Sequence, residues 1–115
     1  MIRYADVLLM YAEASNENGK TSAALSYLNQ IRTRAGVNTF AALSQAELRD
    51  KIVLERRMEL AFEGHRWFDL VRTGQAYAVM QKYGMKPHNT LWPIPLAQIQ
   101  LINDRILFPQ NPGYD

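Results

Sequence analysis

Three glutamates, Glu55, Glu59 and Glu63, stand four residues apart in a stretch of helical pattern, so their carboxylates share one side of a helix. Two carboxylates on one face are the minimal equipment for acid-base hydrolysis, as in glycosidases, provided that one of them keeps its proton near neutral pH. Like charges at this spacing also repel, and a folded helix needs cations to offset them. Arg56, Arg66 and Arg72 on the same stretch, and Arg32 and Arg34 from an earlier one, are candidates for bidentate pairing. Guanidiniums at that distance lower carboxylate pKa values and spoil a general acid. The stripe reads as structural ion pairing, and catalysis finds no support in it.

Other chemistries fare no better. His65 follows Glu63 by two residues and Glu59 by six, which turns the imidazole away from the carboxylate face, and His88 stands alone in a proline-containing loop. No phosphate-cradling glycine loop, dinucleotide fingerprint or nucleophile elbow occurs. The absence of cysteine removes disulfides, thiolate nucleophiles, cysteine-ligated zinc and iron-sulfur clusters together. No catalytic, cofactor-binding or metal-binding residue is assigned, and the chain reads as a non-enzyme. Trp67-Phe68 and Leu91-Trp92 could stack on a sugar ring. Trp67 falls on the apolar side of a helix, however, and Trp92 lies among Leu91, Ile94 and two prolines, so both tryptophans are expected to be packing anchors.

The elements that position these residues are helical. Tyr4, Val7, Leu8, Tyr11, Ala12 and Ser15 follow the spacing of one helical face from Arg3 to Asn18, and Asn18-Gly19 supplies a left-handed stop. Thr21 or Ser22 is the expected cap of a second helix, whose stripe of Ala24, Leu25, Leu28, Ile31 and Ala35 runs to Gly36. The pair forms a hairpin of tetratricopeptide type, with small residues where two helices approach closely. Ser44 and Glu47 make a capping box that opens a third, long helix. Its period carries to about Arg72, with Gly64 marking a bend or a close backbone contact. A short helix over about Gln75 to Lys82 follows. Beyond Met85 all five prolines restrict the backbone, so the tail is expected to be irregular, interrupted by a helix from Leu96 to Asn103 with Leu96, Ile99 and Ile102 or Asn103 inward.

Composition agrees with a folded domain of this kind. The 115 residues are 48% hydrophobic and 21% charged, enough to build one core. A net charge of +2, with basic residues scattered among acids, gives nucleic acid little to hold. The longest apolar run, Val7 to Ala12, is far too short to span a bilayer.

Three segments together resemble the C-terminal region of the SusD/RagB family, the nutrient-capturing outer-membrane lipoproteins of Bacteroidetes. They are Arg3 to Ala14, Glu55 to Arg72, and Leu91-Trp92-Pro93-Ile94-Pro95 with Gln110-Asn111-Pro112-Gly113-Tyr114. Leu28 to Gly36 is similar to the second helix of the family's hairpin, whereas Gln98 and Asp104 depart from its usual pattern. The resemblance implies an all-α, tetratricopeptide-like scaffold with a proline-rich tail wrapping back over it. It also implies that residues 1–115 form a single helical domain, the C-terminal fragment of a longer protein, because neither signal nor lipid anchor is present. The function implied is the scaffold portion of a glycan- or nutrient-binding lipoprotein acting with a SusC-type TonB-dependent transporter at the outer membrane of the cell surface. By the same resemblance, the full-length protein would bind an oligosaccharide or other nutrient. The family's ligand contacts lie largely outside these segments, so no binding residue is carried over. The alternative is a free-standing helical module for protein-protein interaction.

Overall fold

The computed structural model describes residues 2–114. Met1 and Asp115, the two ends of the expected 1–115 domain, lie outside them. In chain order the helices are α1 (Tyr4–Glu17), α2 (Thr21–Arg34), α3 (Gln45–Glu59), α4 (Arg66–Arg72), α5 (Ala76–Met80) and α6 (Leu96–Ile102), with short 3-10 turns at Gln81–Tyr83 and Pro87–Thr90. No strand occurs among the described residues, as the helical periodicities imply. The chain divides into two compact units, Met1–Arg66 and Trp67–Asp115.

In the first unit α1 and α2 form the expected antiparallel hairpin, and α3 packs mainly against α1. Side-chain pairings give the register. Asn16 near the end of α1 exchanges hydrogen bonds with Gln45 at the start of α3, and Asp6 near the start of α1 meets Arg56 toward the end of α3, so α1 and α3 are antiparallel. The segment between α2 and α3 must therefore run back along the hairpin, and it is tied there by Asn29, whose amide pairs with both backbone groups of Phe40. The capping box forms: Glu47 N–H donates to Ser44 Oγ and Ser44 N–H donates to Glu47 Oε2. One core results, built on Leu8, Leu9, Ala12, Ala24, Leu28, Ile31, Leu48, Ile52 and Leu60.

Of the expected inward face of α1, Leu8, Ala12 and Ser15 are buried, whereas Tyr4, Val7 and Tyr11 are 74%, 43% and 53% exposed and Ala5, Asp6, Leu9 and Asn16 are buried in their stead. Two neighbouring helices bury a wider face than one, and the small Ala5 and Ala12 let backbones approach where a tyrosine would hold them apart. Tyr11 instead packs edge-on against Tyr27, with ring centroids 4.6 Å apart. The cap of α2 is Lys20, without a side-chain hydrogen bond, in place of Thr21 or Ser22.

The long third helix is also broken. Its period continues through Arg72, but the helix stops at Glu59 and resumes at Arg66. Phe62 and Gly64 both take left-handed backbone, at φ 66° and 80°. The cause lies across the bundle: Arg3 Nη2 donates to the Glu59 carbonyl at 2.9 Å, replacing the hydrogen bond that a continuing helix would supply. A Cβ on Gly64 would meet nothing within 4 Å, so Gly64 serves the bend and not a close contact.

The second unit begins with α4, closed by Gly74, followed by α5 and its 3-10 extension. Its last part is a clasp. The Gln110 amide pairs with both backbone groups of Ile94 at 2.7 and 2.9 Å, Asn111 Nδ2 donates to the Trp92 carbonyl at 2.6 Å, and Tyr114 Oη donates to the Leu91 carbonyl at 2.8 Å. The two halves of the third segment of resemblance thus bind each other. His88 packs edge-on against Tyr114, and a Cβ on Gly113 would collide with the His88 ring. On α6 only Ile99 is buried, whereas Leu96 and Ile102 are 60% and 47% exposed, contrary to the inward stripe expected.

Gly64→Ala should cost about 1 kcal/mol, because an L side chain must take the left-handed backbone, and Gly64→Asn should cost less. Urea unfolding followed by circular dichroism measures both. An unchanged midpoint for Gly64→Ala would show that the bend is not held in that conformation.

Candidate functional site

The antiparallel packing of α1 on α3 brings Arg3, just before α1, to the C-terminal end of α3. Its guanidinium forks onto Glu63, with Nε and Nη2 donating at 2.9 and 2.6 Å, while Nη1 reaches Glu59 Oε1 at 3.1 Å. The other Glu59 oxygen accepts from Arg34 Nη2 at 2.6 Å, which brings in α2. One turn earlier Glu55 accepts from Arg32 Nη1 at 2.6 Å. Arg32 in turn donates to the Asn38 carbonyl and lies 4.0 Å over the Phe40 ring. Arg56, pointing the opposite way, donates to Asp6 at 2.9 Å in a buried pair.

Every carboxylate of the stripe is therefore held by arginine. Burial pushes the Glu59 carboxyl up, but Arg34 and Arg3 together outweigh it and hold it below its ordinary value. Glu63 is held down by its hydrogen bonds to Arg3. Groups kept ionised in this way cannot donate a proton at neutral pH, and what they can do chemically is tie three helix ends together. Arg32 and Arg34 are the partners anticipated from sequence. Arg56 turns instead to Asp6, Arg72 to Asp69, and Arg66 takes no part in holding the stripe. Arg3 escapes a sequence reading because the residues it binds lie 56 and 60 positions away. Only the α1–α3 register could have identified it.

Trp92 differs from expectation. Trp67 is half-buried, 39% exposed, whereas Trp92 is 86% exposed and is not a packed anchor within this chain. Flanking apolar residues and prolines around Trp92 fix its backbone, through the clasp, without covering its ring. A hollow of about 270 Å³ opens beside Arg3 and Arg34, walled by Tyr4, Leu8, Gln30 and Ile31, but both guanidiniums are already committed to Glu59. A second, of about 230 Å³, lies between α6 and the clasp, where the Gln110 amide is already occupied by Ile94.

Helical hairpin, ion-pair stripe and clasp coincide with the segments that carry the family resemblance, and the SusD family profile matches residues 1–114. The chain belongs to the SusD family. Among curated proteins, this SusD-family chain is 39% identical to SusD-like protein P2 of Formosa agariphila over an alignment that covers 98% of the chain and 25% of that protein. It is likewise 39% identical to SusD-like protein P38 of the same organism, over 82% of the chain and 21% of that protein. A SusD-like protein of Bacteroides ovatus is 36% identical over 62% of the chain and 13% of its own length. The chain thus spans a quarter or less of these relatives. No solved structure matches it. No helix among the described residues is long and apolar enough to cross a membrane.

The depressed carboxylates set a pH dependence. Glu17, which accepts from Arg49 Nε and Nη2 at 2.6 and 2.7 Å, is lowered from 4.5 by those hydrogen bonds as Glu59 and Glu63 are by theirs, so the unfolded chain binds their protons more readily than the folded one. Their contribution is complete above the unfolded value and is lost as pH falls through the folded values. The melting temperature should therefore hold down to about pH 5 and drop below it, with a shallower drop in a Glu59→Gln/Glu63→Gln variant. Equal slopes in parent and variant would contradict this. At neutral pH, Glu59→Gln alone should cost about 1–3 kcal/mol, since the residue is only 13% exposed and serves two arginines.

Proposed function

We propose that this chain is the helical scaffold portion, toward the C-terminus, of a longer SusD-like nutrient-binding lipoprotein at the outer membrane of the cell surface. In that protein the two units work as parts of one helical domain. The whole protein captures a glycan or other nutrient for a SusC-type TonB-dependent transporter, and no bond is made or broken. The observation that carries this reading is the family match along residues 1–114 in a chain that accounts for only 25% of a curated relative. The chemistry of the residues supports it, because Glu59 and Glu63 are held ionised by arginines and so are unsuited to acid catalysis.

A sugar site needs an exposed aromatic platform with free hydrogen-bonding groups converging on it. Trp92 supplies the platform, yet Gln110, Asn111 and Tyr114 beside it are engaged with the backbone of Leu91, Trp92 and Ile94. Recognition therefore belongs to the longer protein. Titration calorimetry of the 115-residue chain against starch, plant and host oligosaccharides should show no saturable heat in the micromolar range. Micromolar binding abolished by Trp67→Ala or Trp92→Ala would make the chain a binding module in its own right.

A further inference from the structure

Trp92 combines an exposed ring with a fixed backbone. The indole is 86% exposed. Its own carbonyl, that of Leu91, and both backbone groups of Ile94 are nevertheless taken by Asn111, Tyr114 and Gln110, and Pro93 stiffens the next step. A large aromatic ring on a backbone already fixed loses little further entropy when it is covered, which is the property of an interface anchor. The unit around it has apolar surface to cover: Leu91, Leu96, Leu101, Ile106 and Leu107 are each at least half exposed, while Leu70, Ala76 and Ile99 are its buried hydrophobic residues. So small a core leaves most of the unit's large apolar side chains uncovered.

The relatives indicate what that is. The chain accounts for 25% of SusD-like protein P2, which leaves 75% of such a polypeptide outside the present residues. We propose that Trp92 is an anchor that seats its indole in an apolar pocket on that remaining part of a SusD-like polypeptide. The pocket must also offer a hydrogen-bond acceptor, a carbonyl or carboxylate oxygen, because a buried indole Nε1–H needs a partner. This rests on the reading that the chain is part of a longer SusD-like protein. A sugar is the weaker occupant, since the polar groups beside the ring are already engaged.

The test uses the isolated chain and a chimera in which it replaces the matched quarter of protein P2, both labelled with 5-fluorotryptophan. Trp92→Phe assigns the Trp92 fluorine resonance in each. In the isolated chain that resonance should show a full solvent isotope shift between H2O and D2O, and in the chimera most of the shift should vanish. Trp92→Ala should lower the melting temperature of the chimera by about 3 °C or more and change that of the isolated chain by less than about 1 °C. A folded chimera whose Trp92 keeps its solvent shift overturns the anchor and leaves the proposed function standing. A chimera that does not fold counts against both. Three results on the isolated chain alone would also overturn the anchor: several degrees lost on Trp92→Ala, self-association abolished by Trp92→Ala, or saturable oligosaccharide binding that depends on Trp92.

Discussion

Asp6 and Arg56 form an ion pair shut away from water on both sides, with side chains 7% and 6% exposed and atoms 2.9 Å apart. Removing two charges from water costs several kcal/mol for each ion, and their attraction repays this only when the geometry is held closely. A one-residue slip of α1 along α3 would part the Asp6 carboxylate from the Arg56 guanidinium. The pair thus fixes the register of the two helices, and the rest of the first unit follows from that register. Asn16 finds Gln45 at one end, Arg3 reaches Glu59 and Glu63 at the other, and Leu9, Leu48 and Ile52 close between them.

The same register explains the break in the third helix. Arg3 arrives where Glu59 would otherwise pass its carbonyl to the next turn, and it takes both that carbonyl and the Glu63 carboxylate. The glutamate stripe, which in isolation looks like equipment for hydrolysis, is the acceptor half of a brace shared by α1, α2 and α3. Carboxylates spent on holding helices in this way are withdrawn from acid-base chemistry.

Much of this was legible in the residues. The α1–α2 hairpin, the Ser44–Glu47 capping box, the Gly74 stop and the pairing of Glu55 and Glu59 with Arg32 and Arg34 all rest on local pattern or on helix spacing, and they formed. What was hidden depends on contacts between residues far apart in sequence. Within the period of α3 Gly64 marks the bend, but the point at which the helix stops is hidden, because the group that takes the Glu59 carbonyl is Arg3. The inward face of α1 is set by two neighbours at once, and a single-stripe reading rotates it onto Tyr4 and Tyr11. Trp92 was misread for a related reason. Apolar neighbours and prolines resemble a docked segment, but within this chain the clasp satisfies the backbone and leaves the ring uncovered.

A double-mutant cycle in urea shows whether the buried Asp6–Arg56 pair holds the register of the helices. Asp6→Asn and Arg56→Met singly should each cost about 3–5 kcal/mol, because each leaves its partner's charge buried and poorly matched. The paired Asp6→Leu/Arg56→Met replacement should recover most of that loss, giving a large non-additive coupling. Single costs below about 1 kcal/mol, of the size measured for exposed pairs, or costs that simply add in the double variant, would contradict the account.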